Sequence, residues 1–254
     1  MKTKLKKLIM CPGIPRSGTT SLWKMLYDSK IVEGLYKEFH YLSIMHNHNY
    51  DPIYPLELVE SHKMYIIHQN QKMGLSQPYN FDNYLSYLNS QANPSDFSQS
   101  YFLLPEDYLR KINENLRDHF DIKIILIYRE PIQRLISYIN MLHYGAGCFG
   151  IKSKEKNDLF LDYVNNPKMQ TLYKDVKDKF ERVFENVICL TTEHFFINQQ
   201  KQDELKKFLE VSEIKPLSKP QNVGNFNFEL HNNYIELANT KLKESIDFYT
   251  TLLL

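Results

Sequence analysis

A glycine-containing stretch, PGIPRSGTTSL, has the residue types and the spacing of a phosphate-binding loop. Gly13 and Gly18 are separated by four residues and followed by Thr19 and Thr20, which is the spacing of G-x-x-x-x-G-K-[ST] without its lysine. Glycines let successive backbone N–H groups aim at one anion, and a helix beginning near Thr19 adds the positive end of its dipole. Arg16 lies inside the loop, where its side chain is able to lie alongside the same anion. We therefore predict a site for a phosphate-like group, and the missing lysine argues against an ordinary ATP- or GTP-hydrolysing enzyme.

A second anion site is indicated by Arg129 and Ser137, which lie eight positions apart. Arg129 ends a predicted strand, and Ser137 falls in the second turn of the helix that follows, so guanidinium and hydroxyl would share one phosphate. Ser137 also shares the polar side of that helix with Gln133 and Arg134, so plain solvent exposure is the alternative interpretation. Two anion sites on one sheet indicate a nucleotide with phosphates at both ends.

Alternating strands and helices must position these residues. The predicted strands are residues 5–10, Val32–Ser43, Ser98–Leu104, Ile122–Tyr128 and Val187–Thr191. The near-continuous apolar run IKIILIY is typical of a strand covered by helices on both faces of a parallel sheet. Ligands of such α/β sheets bind at the carboxyl ends of the strands. Three features fall there: the loop after the first strand, Glu38 in or just after the second, and Arg129 after the run IKIILIY.

Helical periodicity fills the intervening stretches. Helices are predicted at residues 19–29, near 56–72 and 81–90, after Pro105, from Pro131, near 156–165 and 168–185, over 197–210, and from Glu229 onward, with loops at 145–155 and Ile214–Phe226. Trp23 lies at the edge of the first helix's apolar stripe and is expected in the core rather than under a ligand. His46 and His48 are expected to be loop histidines rather than metal ligands, because no carboxylate or thiol is spaced to join them.

Composition bounds the class of protein. With 254 residues and 43% hydrophobic residues, we expect one α/β domain spanning residues 1–254 with a sizeable core. A net charge of +1 gives no argument for bulk nucleic-acid binding. The three cysteines are too few and too scattered for a disulfide framework or a zinc site. No apolar run approaches the ~20 residues that span a bilayer, so a cytoplasmic protein is expected; oligomeric state gives no signal.

The sequence resembles the sulfotransferase family that uses 3′-phosphoadenosine-5′-phosphosulfate (PAPS), and it is most similar to the glycosaminoglycan (heparan sulfate) and tyrosylprotein branches. PGIPRSGTTSL resembles the 5′-phosphosulfate loop, and YREPIQRLISYI resembles the 3′-phosphate motif R-[DE]-P-x-x-R-x-x-S. KEFHYLS is similar to the K-E-x-H-F-F segment of the glycosaminoglycan branch, and DFSQSYFL to its acidic-x-[ST]-P-x-Y segment. The four segments keep the family's order over most of the chain. The resemblance implies a P-loop-like sulfotransferase fold, a parallel sheet flanked by helices.

The resemblance also implies roles for individual residues. The loop residues that would hold the 5′-phosphosulfate are Pro15, Arg16, Ser17, Gly18, Thr19 and Thr20. Arg16 would neutralise charge on the bridging oxygen, while Arg129 and Ser137 would hold the 3′-phosphate. Glu38 matches the family's general base, and His40 is the alternative base. Lys219, with Asn222, would belong to a late loop that closes over the nucleotide.

Several positions depart from the family pattern. Phe97 stands where many glycosaminoglycan enzymes have a lysine, and Gln99 replaces the usual proline. The disulfide of secreted members has no evident counterpart.

The implied activity is transfer of a sulfuryl group from PAPS to a hydroxyl, with adenosine 3′,5′-bisphosphate as product and no required metal. The expected acceptor is a carbohydrate, and tyrosine-containing peptides, lipids and small alcohols remain open. Two alternatives stand beside this interpretation. One is a P-loop nucleotide kinase or NTPase, and the other is a non-catalytic nucleotide-binding relative.

Overall fold

A four-stranded parallel sheet forms the centre of the molecule. The computed structural model describes residues 5–34, 37–46, 66–75, 79–144, 155–165, 172–217 and 232–253. The strands are β1 (Lys6–Gly13), β2 (Ser95–Asp96), β3 (Phe120–Tyr128) and β4 (Val187–Thr191), in the spatial order β2-β1-β3-β4. All three neighbouring pairs are parallel. The predicted α/β class with a parallel sheet is therefore confirmed.

Helices cover both faces of this sheet. They are α1 (Thr19–Asp28), α2 (Tyr41–Met45), α3 (Phe81–Ser90), α4 (Glu106–Leu116), α5 (Pro131–Tyr144), α6 (Lys156–Asn165), α7 (Tyr173–Val183), α8 (Thr192–Phe195), α9 (Gln199–Leu209), α10 (Asn232–Lys241) and α11 (Lys243–Leu253). Residues 66–72 are also helical, and Gln99–Leu103 form a 3-10 helix. The predicted helices at 19–29, 81–90 and 156–165 are confirmed, as are those after Pro105 and from Pro131.

Strand β3 shows why the run IKIILIY is apolar throughout. Its side chains alternate between two buried clusters, with Ile124 and Leu126 in one and Ile125 and Ile127 in the other. The first cluster also holds residues of α4 and α7, and the second holds residues of α1 and α9. A strand that is buried on both faces has no solvent-exposed face, so apolar residues occupy nearly every position. Trp23 packs against the second cluster, as expected.

Two predicted strands are wrong, and side chains that bond to the backbone explain both. Residues 37–40 form no strand, because the N–H groups of Phe39 and His40 both donate to the hydroxyl of Ser98, at 2.9 and 2.7 Å. Described residues 32–34 are likewise not a strand, and α2 occupies the end of the predicted stretch. The expected strand Ser98–Leu104 is a 3-10 helix, because the carboxylate of Asp96 accepts the N–H of Ser98 at 3.0 Å and turns the chain.

The remaining expectations fall partly outside the described residues. Of the helix near 56–72 only residues 66–72 are described, and of the helix near 168–185 the structure shows α7. Residues 197–210 contain α9, and the C-terminal helical stretch consists of α10 and α11. The loop 145–155 lies almost wholly outside the described residues, as does much of Ile214–Phe226. In the part of the chain that the structure describes, no helix combines the length and apolarity needed to cross a bilayer.

The cysteines and the predicted loop histidines have ordinary surroundings where they are described. Cys11 and Cys189 are free thiols, and Cys148 lies outside the described residues. The ring of His46 stacks on Tyr108 with centroids 4.3 Å apart, whereas His48 is not among the described residues. Within the described ranges, no three His, Cys, Asp or Glu side chains are grouped to hold a metal ion.

Candidate active site

The predicted phosphate loop joins β1 to α1 at the carboxyl edge of the sheet. Two of its residues have left-handed backbone, Arg16 with a φ of 68° and Gly18 with a φ of 86°. Alternation between left- and right-handed residues turns successive N–H groups toward one side, which is the geometry of an anion-binding concavity. Gly18 also precedes the first turn of α1, whose N–H groups add to the same positive end.

Helix α8 and the residue that follows it pack against this loop. A Cβ atom on Gly18 would lie 3.2 Å from the ring of Phe196 and 3.3 Å from the methyl carbon of Thr192, so glycine is required there by space as well as by conformation. The hydroxyl of Thr192 lies 2.6 Å from the carbonyl oxygen of Ser17 and 2.9 Å from that of Tyr128. The loop is thereby fixed to the end of β3.

Ser17 leaves a polar atom for a ligand. The residue is fully buried, and its Oγ atom has no hydrogen-bond partner among the described residues. A buried hydroxyl without a partner is uncommon, because burial removes its hydrogen bonds to water and no hydrogen bond within the protein compensates for that loss. An anion oxygen in the loop is the kind of partner that satisfies it.

The second predicted anion motif meets the loop through Ser137. The Nε atom of Arg16 donates to the Oγ atom of Ser137 at 3.2 Å. Ser137 lies on α5, which begins directly after the segment that follows β3. The backbone of Arg129, in that segment, is fixed by the hydroxyl of Tyr173, which donates to its carbonyl oxygen at 2.8 Å. The structure therefore brings Ser137 to the loop and anchors Arg129 at the same edge of the sheet.

Glu38 also lies against the phosphate loop. Its Oε1 atom accepts the amide of Gln99 at 2.8 Å and forms an ion pair with the ammonium of Lys37. Its Oε2 atom lies 3.0 Å from the Nε2 atom of His40. The amide of Gln99 also donates to the hydroxyl of Thr19 at 2.7 Å. The predicted candidates Glu38 and His40 are thus in contact with each other and are joined to the first residue of α1.

Lys37 completes the contact between this carboxylate and the loop. Its Nζ atom donates to the hydroxyls of Thr19 at 3.2 Å and Thr20 at 3.0 Å. Lys37 also forms an ion pair with Glu38. The pair lies at the beginning of α1 and so belongs to the candidate site.

The pKa of Glu38 reflects two opposing influences. Burial of the carboxyl acts to raise its pKa, but the charge of Lys37 and the contacts with His40 outweigh burial and hold the pKa well below its ordinary range. The group is therefore a carboxylate at neutral pH. It is ready to accept a proton, although its basicity is weakened while Lys37 stays beside it.

A buried hydrogen-bond network fixes His40. Its Nδ1 atom lies 2.7 Å from the hydroxyl of Ser100, which in turn lies 2.7 Å from that of Ser43. The same histidine contacts Glu38 with its other nitrogen. Both ring nitrogens are therefore engaged, and the ring orientation is set from two sides.

Asp96 holds the backbone beneath these groups. Its Oδ2 atom accepts the hydroxyls of Tyr84 and Tyr101, each at 2.7 Å, and its Oδ1 atom accepts the hydroxyl of Ser98. Ser98 in turn accepts the two N–H groups at residues 39 and 40. Burial raises the pKa of Asp96, and these hydrogen bonds oppose that effect. The acidic-x-[ST] segment is therefore a support for segment 37–40.

Two site residues were missed by the sequence argument. Lys37 was not among the predicted site residues, and Gln99 was noted only as a departure from a family pattern. Phe97, at the position where relatives of the resembled branch carry lysine, is fully buried in the second core cluster and supplies no cation. The adjacency of Lys37 to Glu38 was the available signal for the lysine. Lys219 and Asn222 lie outside the described residues.

Comparisons with known proteins bear on the fold. No family model matches the sequence, and no curated protein matches it. The structure is similar to a sulfotransferase from Alicyclobacillus acidocaldarius, with a TM-score of 0.55 and 17% identity over 95% of this chain and 96% of that one. It is also similar to the sulfotransferase domain from the curacin biosynthetic pathway, with a TM-score of 0.51 and 18% identity over 99% and 93% of the two chains. The sulfotransferase STF9 from Mycobacterium avium aligns with a TM-score of 0.50 and 13% identity, over 97% of this chain and 77% of that one. The chain therefore has the fold of these sulfotransferases.

Proposed function

We propose that the protein is a sulfotransferase that takes a sulfuryl group from PAPS and transfers it to an acceptor hydroxyl. The observation that carries this proposal is the contact of the Lys37 and Glu38 pair with Thr19 and Thr20, at the end of a lysine-free phosphate loop. The fold shared with sulfotransferases supports it, because it adds the architecture to the chemistry of the site. Fold alone does not fix an activity, so the residues of the site carry the argument.

The residues at the loop fit a doubly phosphorylated donor. The loop from Pro15 to Thr20 would hold the 5′-phosphosulfate, with the partnerless hydroxyl of Ser17 facing an anion oxygen. Arg129 and Ser137 would hold the 3′-phosphate, and the bond from Arg16 to Ser137 supports placing both ends of one nucleotide along this edge. Lys219 stays a predicted contact.

When bound, the donor supplies a sulfuryl group that moves in line to the acceptor oxygen, while its bond to the bridging phosphate oxygen breaks and that oxygen keeps the electron pair. Glu38 takes the proton of the acceptor hydroxyl as the new bond forms. Arg16 and the loop N–H groups stabilise the negative charge that develops on the leaving phosphate. His40 positions Glu38, and it is the alternative base.

The proposed acceptor is a carbohydrate hydroxyl. Support for it is the similarity of KEFHYLS and DFSQSYFL to segments of the glycosaminoglycan branch. The cytoplasmic location stays a prediction.

Calorimetry and a transfer assay test the proposal together. We expect the wild-type protein to bind adenosine 3′,5′-bisphosphate without added metal and to move labelled sulfuryl groups from PAPS to members of a panel of saccharides, tyrosine peptides and small alcohols. Tight binding of ATP with Mg²⁺ and no binding of the bisphosphate would favour the kinase interpretation instead. Bisphosphate binding with no transfer to any acceptor would favour a non-catalytic nucleotide-binding protein.

A further inference from the structure

The ammonium of Lys37 is held where a cation is electrostatically unfavourable unless an anion is present. Thr19 and Thr20 are the first two residues of α1, so their hydroxyls lie at the positive end of the helix dipole. Lys37 donates to both hydroxyls, and only 13% of its side chain is exposed. In the free protein the compensating negative charge comes from Glu38.

The backbone of Lys37 is held from outside the loop, although its ammonium bonds to Thr19 and Thr20. Its carbonyl oxygen accepts the N–H of Phe97 at 3.0 Å, and the two residues after Glu38 bond to Ser98. The lysine therefore reaches the loop from a support built by the chain after β2. Arg16, the cation within the loop, is already bonded to Ser137 on the other side. The two cations thus approach the same loop from different sides.

We infer that Lys37 is a shared counter-ion, paired with Glu38 in the free protein and transferred to the sulfuryl oxygens of the donor when the donor binds. This inference rests on the proposed function and adds a catalytic residue to it. The lysine supplies from outside the loop the ammonium that the loop sequence lacks. Its departure from Glu38 frees the carboxylate for the acceptor proton.

The charges around Glu38 determine what this transfer does. On its own segment the carboxylate contacts Lys37 and His40, and its charge also acts on the buried thiol of Cys11 in β1, whose pKa burial raises to about 12. Thr19 and Gln99, from α1 and the 3-10 helix, do not titrate. An opposite charge at this distance lowers a carboxyl pKa by about 1 to 3 pH units. Moving the ammonium away therefore makes Glu38 a stronger base only in the donor complex.

The experiment follows the carboxyl carbon of Glu38 by ¹³C NMR, with the signal assigned by its loss in Glu38→Gln. In the wild type we expect a low titration midpoint in the free protein and in the bisphosphate complex, because the bisphosphate has no sulfuryl group. With PAPS the midpoint should rise by about 1 to 3 pH units. Lys37→Met should raise it by a similar amount without any nucleotide, whereas Lys37→Arg should keep it low.

Calorimetry supplies the matching binding data. Lys37→Met should weaken PAPS about 10- to 100-fold and leave the bisphosphate within about twofold of wild type, since only PAPS carries the sulfuryl oxygens to which the lysine is transferred. Lys24→Met is the matched control, because Lys24 lies on α1, the helix that Lys37 contacts, in an exposed pair with Asp28, and both affinities should be unchanged.

The outcomes separate this inference from the proposed function. A wild type that binds no bisphosphate would overturn the proposed function and the inference with it. If the wild type binds both nucleotides but the titration midpoint of Glu38 is the same in the two complexes, the inference alone is overturned. That comparison needs no variant. Equal weakening of both nucleotides by Lys37→Met would also overturn it, because Lys37 would then serve the loop rather than the transferred group.

Discussion

The Nε atom of Arg16 donates to the Oγ atom of Ser137 at 3.2 Å, although 121 positions separate them in the chain. One residue belongs to the loop after β1 and the other to the helix after β3. Each was predicted to bind a different phosphate of one nucleotide. If each residue binds its predicted phosphate, this contact limits how far apart the two phosphates lie, and substitution of Ser137 tests the prediction.

Ser137→Ala should weaken adenosine 3′,5′-bisphosphate about tenfold, because it removes a hydroxyl that is proposed to bind the 3′-phosphate and that accepts a hydrogen bond from Arg16. Calorimetry measures the dissociation constant. Ser90→Ala, at an exposed serine at the end of α3, is the matched control and should leave the affinity unchanged. An unchanged affinity in Ser137→Ala would remove Ser137 from the site.

Glu38→Gln should lower the turnover number about 10²- to 10⁴-fold, which is the usual contribution of a positioned general base. The glutamine keeps the shape and its carbonyl oxygen, so binding of the bisphosphate should stay within a few-fold of wild type. Single-turnover transfer of a labelled sulfuryl group measures the chemical step. Transfer at the wild-type rate would show that Glu38 is not the base, and His40→Ala would then be the next variant to assay.

The lowered pKa of Glu38 also makes a prediction about stability. A carboxyl whose folded pKa lies below its ordinary value of 4.5 stabilises the folded state above that pH, and the contribution disappears as the pH falls toward the folded value. The difference in free energy of unfolding between wild type and Glu38→Gln should therefore be steady near neutral pH and shrink below about pH 5. Urea unfolding at a series of pH values measures it.

Glu204→Gln is the control for the pH series. Glu204 forms a partly exposed pair with Lys201 on α9, and such surface pairs contribute little to stability. A difference for Glu38→Gln that stays constant or grows on acidification would contradict the lowered pKa.

Gly18→Ala should destabilise the fold by about 2 to 4 kcal/mol, combining left-handed backbone strain with overpacking against Phe196 and Thr192. It should also weaken the bisphosphate, because the loop must shift. Gly74→Ala isolates the strain, since Gly74 has a similar φ of 77° but no atom of the described residues lies within 4 Å of the added carbon. That variant should lose only about 1 to 2 kcal/mol in urea unfolding. Equal losses in the two variants would show that α8 does not pack tightly on the loop.

Ser98→Ala should cost about 2 to 4 kcal/mol, because it leaves the buried N–H groups of Phe39 and His40 without an acceptor. Urea unfolding measures the loss, and Ser90→Ala is again the control. Activity should fall further than stability accounts for, since segment 37–40 carries the proposed base. Full activity in a folded Ser98→Ala protein would show that this support does not position Glu38.

The sequence predicted the parts of the structure that are set by local pattern. The run that forms β3 was recognisable because both faces of the strand are buried. The loop was recognisable because its left-handed backbone and the lack of space require glycine at position 18. The helix after Pro105 followed from proline at a helix start.

What the sequence did not predict depends on side chains meeting across the fold. The strands expected at Val32–Ser43 and Ser98–Leu104 have suitable residues, but Asp96 and Ser98 take the backbone N–H groups that a strand would have paired. The contacts of Lys37 with Thr19 and Thr20 likewise require segment 37–40 to be brought against α1. No spacing along the chain encodes such a contact.

The order of the strands has a spatial consequence. Because β1 lies between β2 and β3, the turn that leaves it is met from one flank by Gln99 and from the other by Ser137. Under the proposed function, proton removal and recognition of the 3′-phosphate would therefore take place on opposite flanks of a single turn. Substitutions in the chain after β2 would then affect proton removal more than the binding of the 3′-phosphate.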